Sequence, residues 1–118
     1  MTAALGNTLN ALQVACEELN RRGCSARMRE VRYCGERDHR LLVRRPEGPA
    51  TVELLAPLEE RDGDPWQAVR VSGGQRTVWC GPLRAGVVSG LDLVPFVLDM
   101  LSAGDTVLAQ RYRRCDPA

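Results

Sequence analysis

Residues 66–80, WQAVRVSGGQRTVWC, are the most informative stretch for the fold, because two strand-like runs flank a pair of glycines. Trp66 and Ala68 fall on one face of the first run, and Val69 and Val71 fall on the other. A two-residue glycine loop is typical of a tight hairpin turn. The sequence therefore predicts two antiparallel strands, over residues 66–72 and 75–80.

Three further strand-like segments precede this hairpin, and short turn-rich stretches separate them. We predict strands over residues 25–33, 39–45 and 50–58, with loops over residues 34–38, 46–49 and 59–65. Short connections favour an antiparallel meander, since parallel neighbours need long crossovers. The apolar phase of the first strand switches between Met28 and Val31, which indicates either a bulge near Arg29 or Glu30 or burial on both faces, as in a dimer.

Two helices are predicted to frame this strand-rich region. The first has apolar residues on one face, namely Leu5, Leu9, Leu12, Cys16 and Leu19. Thr2 can cap its start, and Gly23 is expected to end it in a left-handed conformation. The second has an apolar face formed by Leu91, Val94, Leu98 and Leu101.

The start of the second helix depends on Pro95, which is tolerated only in a first turn. This constraint favours Asp92 over Ser89 as the cap of the second helix.

Gly104 and Asp105 should end the second helix. Residues 106–112 fit either a strand or a short helix, and residues 113–118 are expected to be a loose tail. The prediction is one α+β domain over residues 1–118, with a five-stranded antiparallel meander and both helices on one face.

Composition indicates a globular domain and a biased genome. The 118 residues are 44 % hydrophobic and 26 % charged, which is typical of a folded protein. Sixteen arginines, no lysine, no isoleucine and one phenylalanine point to a GC-rich genome, as in a high-GC bacterium. The net charge of +1 gives no overall field that would recruit a polyanion.

The cysteines and the N-terminus lead us to expect a cytoplasmic protein. Five cysteines at wide spacings form no C-x-x-C motif and give an odd count, so we expect buried, reduced thiols rather than a disulfide framework. The first residues lack the pattern of a signal peptide. The apolar stretch 85–101 is interrupted by polar residues and proline, so we expect no membrane span.

Charge is distributed unevenly along the chain. Residues 21–45 contain nine arginines and three acids, a net charge of +6, whereas residues 46–64 contain one arginine and six acids, a net charge of −5. These charges could pair across neighbouring strands, chiefly through Glu53, Glu59 and Glu60. They could instead bind a protein partner or a second copy. A third interpretation is a nucleic-acid site formed by Arg27, Arg29, Arg32, Arg40, Arg44 and Arg45.

Catalytic and metal-binding patterns are weak. His39 is the single histidine, and Cys34 or Cys80 could pair with it as a nucleophile. No second ligand pair accompanies Cys34 and His39, so we expect no metal site, and no nucleotide-binding motif indicates a cofactor. Asp62 and Asp64 resemble a polar turn more than a calcium loop.

Trp66 and Trp79 flank the glycine turn and are expected to pack in the core, or to form a partner-binding hot spot if helices leave their face uncovered. The leading hypothesis is a non-enzymatic protein-binding module of the adaptor, chaperone-like or regulatory kind, acting as a homodimer. The alternatives are the nucleic-acid-binding protein and the small cysteine–histidine enzyme. The sequence leaves any small-molecule ligand undetermined.

Overall fold

A computed structural model describes residues 2–33, 36–56, 65–84 and 89–115, and the side chains of residues 8–32, 39–56, 65–81 and 89–115. The predicted loop around Asp62 and Asp64 and the residues Cys34, Glu59 and Glu60 lie outside these ranges. The elements are α1 (Thr2–Arg21), β1 (Ser25–Tyr33), β2 (Glu36–Arg44), β3 (Thr51–Leu55), β4 (Pro65–Ser72), β5 (Gln75–Arg84), α2 (Gly90–Ser102), α3 (Asp105–Arg111) and β6 (Arg113–Arg114).

The strands form one six-stranded antiparallel sheet in the order of the chain, β1 to β6. This arrangement confirms the predicted meander and adds a sixth strand to the five expected. The helices pack on one face of the sheet, where α1 contacts β1 and β2, and α2 contacts β3, β4 and β5. The predicted α+β architecture is therefore confirmed.

The turn at Gly73 and Gly74 forms as predicted. Both glycines have positive φ angles, 59° and 80°, and Ser72 pairs directly with Gln75 across the turn. Two successive left-handed residues match the right-handed twist of the flanking strands, which favours this turn in a two-residue hairpin.

The predicted bulge near Arg29 or Glu30 is wrong. The pairing of β1 with β2 is continuous, and Val31 lies on the face opposite to Met28. The register shift in the sheet instead separates Pro65 from Gln67 on β4.

The end of α1 is fixed by its own backbone and by one side chain. Gly23 has a φ of 89°, and the Cys24 N–H donates to the Leu19 carbonyl at 3.0 Å, which confirms the predicted left-handed terminator. The Asn20 amide donates to the Ala26 carbonyl at 2.9 Å and accepts from the Ala26 N–H at 2.9 Å. This reciprocal pair fixes the start of β1 against α1.

The predicted cap of α2 is wrong. The N-cap is Ser89, and Asp92 occupies the third helical position, where its carboxylate accepts bonds from the Ser89 N–H at 3.2 Å and hydroxyl at 3.1 Å. Pro95 consequently lies inside the helix and is exposed, and its ring removes one backbone hydrogen bond. Proline is tolerated there because the rest of α2 is fixed by packing.

The predicted apolar face of α2 is only partly correct. Val94 and Leu101 are buried, but Leu91 is 57 % exposed. The residues that the pattern missed are also buried, namely Leu93, Phe96, Val97 and Met100. Because α2 contacts both the sheet and α1, the face that it buries is wider than a single stripe.

The C-terminal segment is more ordered than the sequence predicted. Residues 105–111 form α3, which decides between the two options that the sequence left open. Arg113 and Arg114 pair with β5, and the Cys115 N–H donates to the Val78 carbonyl at 2.9 Å, so the loose tail is wrong for residues 113–115. Residues 116–118 lie outside the described ranges.

Arg70 joins the sheet to the C-terminal helices. Its side chain rises from β4 on the covered face and is 9 % exposed. Its Nε donates to the Met100 carbonyl at 2.8 Å, Nη2 to the Ala103 carbonyl at 2.9 Å, and Nη1 to the Asp105 carboxylate at 2.5 Å. A helix leaves its last carbonyls unpaired, so the guanidinium satisfies the end of α2 and holds the start of α3.

We predict that Arg70→Met lowers the free energy of unfolding by about 2–4 kcal/mol, because the buried Met100 carbonyl, the half-buried Ala103 carbonyl and Asp105 lose their donor. Urea unfolding followed by tryptophan fluorescence measures this change. Arg76→Met is the matched control, since Arg76 is exposed on the neighbouring strand, and it should change stability by less than about 0.5 kcal/mol. Equal losses in the two variants would contradict the role of Arg70.

Gly90 lets α2 approach α1 closely. A Cβ atom at this position would lie 2.5 Å from the Val14 Cβ and would also collide with the Ala11 carbonyl oxygen. Only a residue without a side chain therefore fits between the two helices.

We predict that Gly90→Ala destabilises the protein by about 1–3 kcal/mol through overpacking, although alanine is the better helix former. Gly48→Ala adds the same methyl where the nearest atom is the Arg45 Cβ at 3.4 Å, and it should be nearly neutral. Thermal and urea unfolding of both variants test this, and a neutral Gly90→Ala would show that the helices are not in this contact.

Tyr112 connects α3 to α2. Its hydroxyl donates to the Asp99 carboxylate at 2.5 Å, and its ring centroid lies 5.1 Å from that of Phe96. Burial, and then the hydrogen bond to Asp99, raise the pKa of Tyr112 well above its ordinary value of 10.0. The folded protein therefore holds this proton more tightly than the unfolded chain does.

The raised pKa of Tyr112 predicts a stability that is complete below about pH 10 and falls as pH rises above it. The tyrosine contributes at most about 1.4 kcal/mol per pH unit, and less after solvent screening. Unfolding of the wild type and of Tyr112→Phe between pH 7 and pH 12 measures this. The difference between the two proteins should be constant to about pH 10 and then shrink; a constant difference throughout would contradict the linkage.

Candidate functional site

The sheet has a second face, opposite to the helices, which we call the open face. Its described residues include three rows across the strands: Ser25, Arg44, Thr51, Val71 and Arg76; Arg27, Leu42, Glu53, Val69 and Val78; and Arg29, Arg40, Leu55, Gln67, Cys80 and Arg113. Apart from Cys80, these side chains are exposed or half-buried. The antiparallel register thus brings arginines from four separate strands onto one surface.

A concavity of about 510 Å³ lies on this face. Its apolar floor is formed by Leu42, Val69 and Val71, of which Val71 is 38 % exposed. Arginines surround the floor, namely Arg27, Arg40, Arg44 and Arg76. A volume of this size is typical of a ligand-binding cleft and accommodates several side chains of a partner.

One arginine of the concavity is paired within the fold. The Arg40 Nη1 lies 2.6 Å from the Glu53 carboxylate on the neighbouring strand, and both side chains are partly buried. The predicted pairing of the basic and acidic segments across the ladder therefore holds for Glu53. Glu59 and Glu60, the other two acids in that prediction, lie outside the described residues.

The remaining arginines of this face have no such partner. Arg27, Arg29, Arg44 and Arg76 are exposed and make no ion pair with any side chain that the structure describes. Four arginines and one acid line the concavity, so its formal net charge is +3. Their planar guanidinium groups favour carboxylates and phosphates over neutral ligands.

The structure separates the six arginines of the predicted nucleic-acid site. Arg27, Arg29, Arg40 and Arg44 share the open face, whereas Arg32 occupies the alternate face of β1 and Arg45 follows the end of β2. Arg76 was missed by the sequence analysis, although strand alternation continued to β5 would have placed it beside Val71.

Trp66 and Trp79 lie in the core, each 1 % exposed, beneath the helices. The indole N–H of Trp79 donates to the Thr77 hydroxyl at 2.9 Å, and Arg114 lies 5.5 Å from the centre of its ring. The two tryptophans could form a partner-binding hot spot only if the helices left this face uncovered, and the helices cover it. Both tryptophans therefore pack in the core, which was the default expectation.

His39 and Cys80 do not come together. His39 is half-buried on the covered side of β2, and Cys80 lies on the open face of β5, three strand spacings or roughly 14 Å away. Cys34 lies outside the described residues. Among the residues that are described, no group of three histidine, cysteine or acidic side chains could hold a metal ion.

Two cysteines correct the prediction of free thiols. Cys80 on β5 and Cys115 after β6 form a disulfide, with their Cα atoms 5.9 Å apart. Cys24 is a buried free thiol, as predicted, and Cys16 is a half-buried one. Sequence spacing gave no indication of the pair, because the predicted loose tail placed no residue beside β5.

Within the described helices, none combines the length and the apolar character that a membrane span requires. The chain matches no protein-family model, no curated protein and no solved structure. Functional inference therefore rests on the geometry of the open face.

Proposed function

We propose that this chain is a non-enzymatic protein-binding module, of the adaptor, chaperone-like or regulatory kind, whose open face docks an acidic, amphipathic segment of a partner protein. The supporting observation is the set of arginines around the apolar floor. Among the described acids, only Glu53 forms an ion pair with one of these arginines, Arg40. Docking would bury Leu42, Val69 and Val71 and pair the surrounding arginines with carboxylates. An open sheet face of this composition gains a third layer when a helix covers it.

Two features favour a protein segment over a nucleic acid. The described side chains of the open face include no aromatic residue on which a base could stack. The floor is aliphatic, and phosphates gain nothing from it. An acidic and partly apolar protein segment would contact both the apolar floor and the surrounding arginines.

The charge of the open face opposes a symmetric dimer in which two copies stack these faces. The concavity alone would bring a net charge of +3 from each copy to the interface, and like charges there are costly. A partner that supplies the missing acids avoids this cost. The homodimer and the cytoplasmic location stay predictions, and the oligomeric state is tested below.

The dimensions of the face suggest a helical probe. The rows from β1 to β5 cross four strand spacings, roughly 19 Å, which a helix of about 13 residues spans. We choose an 18-residue fluorescent peptide with leucines on one face and glutamates beside them. A second peptide with lysine in place of each glutamate tests the sign of the charge.

We predict that the glutamate peptide binds with micromolar affinity at low salt and more weakly as salt rises, and that the lysine peptide does not bind. The double variant Arg27→Glu/Arg44→Glu should weaken binding by at least about tenfold. Arg32→Glu/Arg45→Glu is the matched control, because it changes the net charge equally outside the concavity and should alter affinity about twofold or less. Fluorescence anisotropy measures each constant.

Equal losses of peptide affinity in the two double variants would show that binding depends only on the overall charge of the protein. This result would contradict a defined docking surface. A 20-nucleotide single strand that binds more tightly than the glutamate peptide, with the same variant sensitivity, would favour the nucleic-acid alternative. A concentration-dependent dimer in sedimentation that disappears on peptide addition would show that a second copy occupies this face instead.

A further inference from the structure

The disulfide between Cys80 and Cys115 lies at the outer edge of the sheet. β6 is only two residues long, and it pairs with β5 through Trp79 opposite Arg114 and Cys80 opposite Arg113. Beyond it, the Cys115 N–H donates to the Val78 carbonyl at 2.9 Å. So short an edge strand has few backbone bonds of its own, and the covalent link therefore contributes much of its attachment.

The two sulfur atoms have different surroundings. Cys80 is 7 % exposed, whereas Cys115 is half-buried and more accessible. The Arg113 guanidinium is directed at the Cys80 sulfur, with Nη2 to Sγ at 3.7 Å. A cationic donor beside a sulfur atom stabilises its thiolate form, and a more stable thiolate leaves faster in disulfide exchange.

We propose that Cys80 and Cys115 form a redox-responsive latch that fastens β6 to β5, with Arg113 as a positioning residue that directs which sulfur is attacked. The latch is opened by a thiol reductant and closed by a small-molecule disulfide. It does not rest on the docking function proposed above, because Arg113 lies on the open face but does not line the concavity. If the cytoplasmic prediction holds, reversibility is expected, because disulfides in that compartment are usually transient or redox-sensing.

Opening proceeds by two exchanges. A thiolate of a dithiol reductant attacks the accessible Cys115 sulfur, the protein S–S bond breaks, and its electron pair leaves on Cys80 as a thiolate beside Arg113. The second thiolate of the reductant attacks the mixed disulfide and releases Cys115. The reductant becomes a cyclic disulfide, and the protein gains two electrons and two protons.

Closure reverses the flow of electrons. One protein thiolate attacks a small-molecule disulfide such as oxidised glutathione and expels one glutathione thiolate. The other protein thiolate then attacks the mixed disulfide and expels the second glutathione thiolate. The two protein thiols lose two electrons and two protons, and the small disulfide becomes two thiols.

Opening changes the edge of the sheet. Without the covalent link, β6 keeps its short backbone pairing with β5 and the contact of Arg114 with the Trp79 ring. Release of β6 leaves the outer backbone groups of Trp79 and Cys80 unpaired, which lengthens the part of the β5 edge that can accept another strand. It also removes Arg113 from the open face.

The first test maps the link and the motion of β6 in the 118-residue chain. After incubation with oxidised glutathione, alkylation under denaturing conditions and mass spectrometry should show Cys80 linked to Cys115, with Cys16 and Cys24 alkylated. Reduction with dithiothreitol should speed amide exchange at residues 113–115 by at least about tenfold, while exchange in β3 stays unchanged. This comparison uses the wild-type chain in both states and needs no substitution.

The second test measures the role of Arg113. Arg113→Gln should slow cleavage of the disulfide by dithiothreitol by about three- to tenfold at low salt. Arg111→Gln is the matched control, because the same charge is removed two residues away, where the guanidinium binds Asp99 at 3.2 Å instead of sulfur. Cleavage by the control should be within about twofold of wild type.

Three results would overturn the proposal. Complete alkylation of Cys80 or Cys115 after the oxidising incubation, or a link from either residue to another cysteine, would contradict the assigned disulfide. Equal exchange at residues 113–115 in the oxidised and reduced protein would show that β6 does not depend on the link. Equal cleavage rates for Arg113→Gln and Arg111→Gln would remove the positioning role of Arg113.

Discussion

The three-way binding of Arg70 is the interaction on which the rest of the architecture depends. A guanidinium that is almost wholly buried is tolerable only if each nitrogen finds an acceptor, and the end of α2 and the start of α3 supply all three. This side chain therefore ties the end of α2 and the start of α3 to the face of the sheet whose apolar residues the helices bury. The opposite face is left for the other arginines.

The two faces of the sheet consequently differ in their physical character. The covered face holds Trp66, Trp79 and aliphatic side chains, together with the buried Arg70, each of whose three nitrogens donates a hydrogen bond. The open face holds a narrow apolar floor and arginines that are mostly unpaired among the described residues. Charges stay where water or a partner can solvate them, since burial without partners costs several kcal/mol. The functional proposal follows from this difference.

Much of the fold could be predicted from local signals. The Gly73–Gly74 turn, the left-handed Gly23 and the strand over residues 25–33 follow from backbone preferences that neighbouring residues carry. The errors lie where tertiary contacts override such signals. Pro95 indicated a later start for α2, but packing against the sheet and α1 supports the helix despite the missing hydrogen bond. Arg113 and Arg114 looked like a loose tail, since pairing with β5 depends on a neighbour more than thirty residues earlier.

The sequence by itself determined the meander, the placement of arginines in the first hairpin, and the acidic segment after it, because turn chemistry and alternation are local properties. Tertiary structure alone decided that Glu53 forms an ion pair with Arg40 and that Cys80 forms a disulfide with Cys115. It also decided that Arg76 lies on the same surface as Arg27 and Arg44. These contacts join residues distant along the chain. The register of the whole sheet, set by burying one face under the helices, brings them together.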